Sequence, residues 1–123
     1  MTRYVIDASA ALAFIHAEPG HDTVAPYLTQ GIMSTVNLAE VVGRLSRRGL
    51  DPMRAHYLGC EFIPFDTDLA ERAGRLLPDT QAHGLSLGDR ACLALALRER
   101  LPVLTADRIW ASLNLGIDVA LVR

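Results

Sequence analysis

The sequence predicts an α/β domain in which a parallel sheet is covered by helices on both faces. Three observations lead to that class. Short apolar runs of strand type alternate with segments whose apolar residues recur at helical spacing. The stretch from Leu85 to Trp110 reads as a turn, an amphipathic helix, a tight loop, a buried strand and a second helix start. A helix followed at once by a strand is half of a βαβ unit. Finally, the chain has 123 residues, 50% of them hydrophobic and 21% charged, which suits one soluble domain (1–123) with a single core.

Arg3 to Ile6 is the first strand, ending at Asp7. Ser9 caps a helix over Ala10 to Ala17, whose apolar face carries Leu12, Phe14 and Ile15, and Pro19-Gly20 closes it. A short helix covers roughly His21 to Thr29, and Gly31 to Met33 is the second strand. Ser34 or Thr35 caps the next helix, Val36 to about Arg48, which Gly49 ends. Asp51-Pro52 is an N-cap with proline at the first helical position, opening a helix to about Cys60. Phe62 to Phe65 is the third strand, and its proline suits a sheet edge. Thr67 caps a helix from Asp68 to Leu77, and Pro78 to Gly84 is loop. Ser86 with Asp89 has capping-box spacing, and Leu93, Ala94, Leu97 and Leu101 follow at helical intervals. Pro102 stops that helix before the fourth strand, Val103 to Thr105, and Asp118 to Val122 is the fifth.

Composition excludes several functions. All 12 basic residues are arginine, so Schiff-base chemistry and the phosphate-loop lysine are ruled out. The net charge of -2 gives no global attraction for nucleic acid, so any such binding relies on a local arginine patch or on metal ions. Cys60 and Cys92 lack metal-ligand spacing and read as buried thiols of a reducing, cytoplasmic compartment. The apolar run Ala8 to Ala17 is too short for a membrane span and has no basic leader beyond Arg3, so neither a signal peptide nor a membrane anchor is expected.

The chemistry rests on four carboxylates. Asp7 follows the first strand, Glu40 lies early in the helix after the second, Asp89 opens the helix before the fourth, and Asp107 follows the fourth. If strands one and four are neighbours at the switch point of a doubly wound sheet, Asp7 and Asp107 converge on one crevice, within reach of Glu40 and Asp89. Like charges that close repel by roughly 3 kcal/mol per pair at an effective dielectric of 20. A hard divalent cation supplies the counter-charge. Mg²⁺ or Mn²⁺ suits the set better than zinc, because no His or Cys joins it. Such an ion lowers the pKa of bound water and stabilises charge on a phosphate.

Each acid also has a plain structural explanation. Asp89 suits a cap, Asp107 a helix dipole, and Glu40 a solvated helix face. Asp7, an acid ending an apolar strand, gains little structurally, so the functional reading rests on the set. Gly84-Leu85-Ser86-Leu87-Gly88 matches a nucleophile elbow, but no strand precedes it and no His follows His83, so Ser86 is a helix cap. Asp7-Ala8-Ser9 lacks the second aspartate and the lysine of an aspartyl phosphotransferase. The histidines at 16, 21, 56 and 83 are scattered. Arg44, Arg47 and Arg48 either compensate a helix dipole or form a phosphate-contacting ridge for RNA. Leu12, Phe14, Leu38 and Val42 are core or dimer interface, and Trp110 is a core or interface residue rather than a base-stacking one.

The segments VIDASA, STVNLAEVVGRL, LSLGDRACLALA and LTADRIW resemble the PIN-domain ribonucleases, and among them the VapC toxins of bacterial toxin–antitoxin pairs. The four segments span the chain in that family's order. The resemblance implies a five-stranded parallel sheet of order 3-2-1-4-5 with strands one and four side by side. It further implies Mg²⁺- or Mn²⁺-dependent RNA cleavage, a homodimer, and inhibition by a cognate antitoxin. By position, Asp7, Glu40, Asp89 and Asp107 match the catalytic, metal-binding acids, and Ser9 and Thr105 the small hydroxyl residues beside them. The expected function is a metal-dependent endoribonuclease toxin whose metal-activated water attacks an RNA phosphodiester. The alternatives are a PIN nuclease in RNA processing without an antitoxin, and a non-catalytic binding protein on the same fold. The helices carrying Leu12 to Ile15 and Leu38 to Leu45 are the expected surfaces for a second copy or an antitoxin helix.

Overall fold

Val5–Ile6 (β1), Ile32–Ser34 (β2), Glu61–Ile63 (β3), Val103–Thr105 (β4) and Val119–Leu121 (β5) pair in parallel in the order β3-β2-β1-β4-β5. The computed structural model from which this is read describes residues 2–123. The chain winds outward from β1 to β3, then returns to lay β4 against the free side of β1. That reversal puts the switch point between β1 and β4, the condition for Asp7 and Asp107 to meet.

The strands alternate their side chains between two cores. Ile6, Met33 and Leu104 enter one, with Ala8–Ile15 (α1), Val24 of His21–Val24 (α2), and Val41 and Leu45 of Thr35–Arg47 (α3). Val5, Ile32 and Val103 enter the other, with Leu69 and Ala73 of Thr67–Arg75 (α4), Leu76 just ahead of Leu77–Thr80 (α5), and the apolar residues of Leu87–Glu99 (α6). Helices thus cover both faces, as expected. Trp110 is fully buried in the second core. Both cysteines are free and buried. No helix among the described residues is long and apolar enough to cross a membrane.

Several local expectations give way. Helix α1 starts at Ala8, so Asp7 rather than Ser9 holds its N-cap position. The Ser9 hydroxyl is instead drawn into a tertiary network, described below. Asp66, not Thr67, caps α4, accepting from the Leu69 amide at 2.9 Å, because its carboxylate outcompetes the hydroxyl one residue on. The expected loop from Pro78 to Gly84 is helical, with α5 followed by a 3-10 turn over Gln81–His83; Pro78 opens a helix there. The expected helices after Asp51 and Asp107 are 3-10 segments, Pro52–Leu58 and Arg108–Ser112. Helix α6 is not amphipathic: Ala91 to Ala96 are all buried, because α4 packs beside it and α3 crosses near it. Strand β3 ends at Ile63 on the sheet edge, with Pro64 just outside it.

Candidate active site

The carboxyl ends of β1 and β4 open into a cleft of about 290 Å³ whose lining includes Asp7, Ser9, Glu40, Asp89 and Asp107. Each acid arrives by a different local route. Asp7 leaves β1 extended, at φ -74° and ψ 151°, and starts α1. Glu40 projects from the second turn of α3, which Ser34 caps through the Val36 amide. Asp89 is the third residue of α6, placed by the capping box that the sequence predicts. Asp107 caps the 3-10 turn after β4.

Asp7 is the anchor. It is 4% exposed, and its Oδ2 accepts from Ser9 Oγ at 2.5 Å and from Thr105 Oγ1 at 2.8 Å. Those hydroxyls accept in turn from the backbone amides of Ala106 and Asp107, at 2.9 and 3.0 Å, so their protons are directed at the carboxylate. Ser9 and Thr105, expected beside the acids, therefore clamp the floor of the cleft and join β1, α1 and β4. Burial pushes the Asp7 carboxyl up to about 6, the two hydroxyls work against that, and the charges of Asp89 and Glu40 add to it. Glu40 is also raised, first by partial burial that desolvates its carboxyl and then by the charge of Asp89, while its bond from Asn37 and the nearby Arg44 lower it.

The four carboxylates share one arrangement. One oxygen of each is held by a protein donor: Asp7 Oδ2 as above, Glu40 Oε1 by Asn37 Nδ2 at 2.7 Å, Asp89 Oδ2 by the Ser86 amide at 2.9 Å, and Asp107 Oδ1 by the Ile109 amide at 3.1 Å. The other oxygen of each has no donor among the described residues. The capping roles and the cleft positions are thus compatible in Asp89 and Asp107, and the structural explanation does not displace the functional one. Among the described residues no three His, Cys, Asp or Glu groups approach closely enough to be a ready-made ion cage. The acids line the same cleft without closing on a point, as four like charges resting on separate donors do.

Arg44 lines the cleft and, with Arg47 and Arg48, an adjoining hollow of about 460 Å³. Among the described residues none of the three forms an ion pair. They line one hollow, so the ridge reading has a geometric basis beyond dipole compensation. No histidine lines the cleft. Sequence reasoning missed Asn37, Glu18 and Arg123. Glu18 and Arg123 line the cleft from the turn after α1 and from beyond β5, with Arg123 Nη1 donating to the Pro19 carbonyl at 3.1 Å. Neither sits at a strand end followed by a helix, so no local signal marked them.

Residues 4–114 match the PIN domain family. No curated protein matches the chain in sequence. Among solved structures, one in a toxin-antitoxin complex from Klebsiella pneumoniae has 20% identity and a TM-score of 0.77, with 98% of each chain covered. One in a DNA-bound VapBC complex from Salmonella typhimurium has 16% identity and a TM-score of 0.73 over all of both chains. A sarcin-ricin loop cleaving VapC toxin from Mycobacterium tuberculosis has 16% identity and a TM-score of 0.71, covering 95% of this chain and 99% of its own. At these identities the likeness is one of fold. With its family match spanning most of its length, the chain belongs to the PIN-domain family.

Proposed function

We propose that this protein is a divalent-metal-dependent endoribonuclease of the cytoplasm, the toxin of a type II toxin–antitoxin pair, acting as a homodimer. The observation that carries the reading is the shared arrangement of Asp7, Glu40, Asp89 and Asp107: one oxygen tied to the protein, one left over, all around one cleft. An all-oxygen donor set of this kind fits Mg²⁺ or Mn²⁺. The oxygens left for a cation are Asp7 Oδ1, Glu40 Oε2, Asp89 Oδ1 and Asp107 Oδ2. When bound, the ion lowers the pKa of a water and offsets charge on the phosphate.

The protein's own contribution is orientation. Ser9 and Thr105 fix Asp7 so that its buried carboxylate stays ionised against the cost of burial. Arg44, Arg47 and Arg48 supply positive charge beside an acidic cleft, which lets an RNA backbone approach despite the net charge of -2. An antitoxin partner is supported by the toxin–antitoxin complexes among the structural relatives and by a further hollow with an apolar wall: partly buried Phe14 and Ile15 and the 78% exposed Tyr57 line it with Arg54, over the buried Leu58. The test is incubation of the purified protein with a panel of structured RNAs. Cleavage in Mn²⁺, abolished by EDTA and by addition of the cognate antitoxin, is the expected result. Equal cleavage in EDTA would overturn the metal dependence, and a folded, Mn²⁺-bound protein that cuts no RNA would overturn the enzyme assignment.

A further inference from the structure

Glu40 is held from two sides by uncharged residues. Asn37, less than a turn before it on α3, is fully buried and donates from Nδ2 both to Glu40 Oε1 at 2.7 Å and to the Gly88 carbonyl at 3.0 Å. Both partners are acceptors, so chemistry alone assigns the amide nitrogen to this side. The buried Asn37 Oδ1 then has no hydrogen-bond partner among the described residues. An orphaned acceptor is a cost that a leucine of similar shape would avoid. Leucine would leave little else stranded: Glu40 is only partly desolvated and stays open to water, and the Gly88 carbonyl lies in the first turn of α6, where the helix supplies its own donor. Stability gives little reason for asparagine at this position.

Gly88 faces Glu40 from the other side. A Cβ there would meet the Glu40 Cδ at 2.6 Å and collide with the carboxylate oxygens, so any side chain at 88 displaces Glu40. Glycine inside a helix is itself unfavourable relative to alanine. Two residues, each a poor choice for stability, converge on one carboxylate. They also link α3 to the start of α6, which carries Asp89, across 51 residues of sequence.

We propose that Asn37 and Gly88 are positioning residues that hold the Glu40 carboxylate in register with Asp89 for cation binding. The proposal rests on reading the cleft as a cation site. Loss of a supporting residue of this kind weakens metal affinity by about tenfold or more.

The experiment measures Mn²⁺ affinity by calorimetry and melting temperature in EDTA for wild type, Asn37→Leu, Gly88→Ala, Glu40→Gln and the double variant Asn37→Leu/Glu40→Gln. Asn37→Leu and Gly88→Ala are expected to melt at or above wild type while their Mn²⁺ Kd rises by about tenfold. In the Glu40→Gln background, Asn37→Leu adds no further loss, because both act through one carboxylate. Lower melting temperatures with wild-type Mn²⁺ affinity would make the two residues structural and overturn the proposal, as would additive losses in the double variant. Should Asn37→Leu fail to fold, Gly88→Ala decides, since alanine favours the helix. A wild type that binds no Mn²⁺, or a Glu40→Gln variant that binds it as tightly as wild type, would instead overturn the reading of the cleft, and the proposal with it.

Discussion

Asp7→Asn separates the cost of a buried charge from its use. In the fold this carboxyl titrates at about 6, against an ordinary 3.8, chiefly because burial opposes ionisation. An acid whose pKa rises on folding stabilises the fold below its ordinary pKa and loses that contribution as the pH climbs through the folded value. Without a cation, the ionised Asp7 therefore costs about 3 kcal/mol at about pH 7.5 and about 1 kcal/mol at about pH 4.5. Asparagine keeps the shape, accepts from Ser9 and Thr105 through Oδ1, and removes the charge. Its Nδ2 needs an acceptor where Asp7 Oδ1 stood, which takes back about 1 kcal/mol. In EDTA at about pH 7.5 the variant should melt above wild type by roughly 3–12 °C. At about pH 4.5 most of the difference should vanish. Mn²⁺ at a hundredfold excess over its Kd should then stabilise wild type by about 2.7 kcal/mol, and the variant by much less. Thermal melts by circular dichroism at both pH values, in EDTA and in Mn²⁺, measure all of this. A variant that melts below wild type in EDTA by the same margin at both pH values would refute the reasoning, because the ionised Asp7 would then not be straining the cleft.

Asp107→Ala removes the acceptor of the Ile109 amide, so it should cost about 0.5–2 kcal/mol in EDTA and, beyond that, lose part of the Mn²⁺ increment; an equal loss with and without Mn²⁺ would leave Asp107 a cap only. Asp89→Asn still accepts from the Ser86 amide and should melt within about 0.5 kcal/mol of wild type in EDTA, with a smaller Mn²⁺ shift; an unchanged shift would remove Asp89 from the site. Changing Arg44, Arg47 and Arg48 together to Gln should weaken RNA binding across sequences and reduce the slope of log K against log salt by about 2. A wild-type slope in filter binding would show that the ridge does not meet the backbone. Sedimentation without antitoxin should give a dimer at micromolar concentration, and a monomer would contradict the expected assembly.

The sheet was legible where sequence punctuation is strong. Pro102 ends a helix and leaves Val103–Thr105 as β4, the expected bounds. The Ser86–Asp89 capping box marked the start of α6 by a pattern that needs no tertiary partner. Caps chosen among adjacent polar residues were less legible: Asp66 displaced Thr67, and Ser9 gave its hydroxyl to Asp7 and Ala106, a partner 97 residues away. Pro78 was read as a breaker but opens a helix, because proline is compatible with a first turn. Asp7, Asp89 and Asp107 were legible because each follows a strand or begins a helix, and Glu40 because it lies early in the helix after β2, whereas Glu18, the fifth acid of the cleft, carries no such mark. Asn37 was not legible, since its meaning lies in contacts with Gly88 across the fold and with a carboxylate that looks like solvated helix surface. Helix α6 likewise read as amphipathic, because its burial on several sides depends on where α3 and α4 pack.

The central claim is that Asp7, Glu40, Asp89 and Asp107 hold a divalent cation, and anomalous diffraction from crystals soaked in Mn²⁺ tests it most directly. The expected result is a manganese peak inside the cleft, about 2.0–2.3 Å from an Asp7 oxygen and from at least one of the other three carboxylates. Soaked Asp7→Asn crystals should lack that peak. A manganese peak elsewhere, such as at His21 and Asp22, with none in the cleft of a protein that still cleaves RNA, would contradict it.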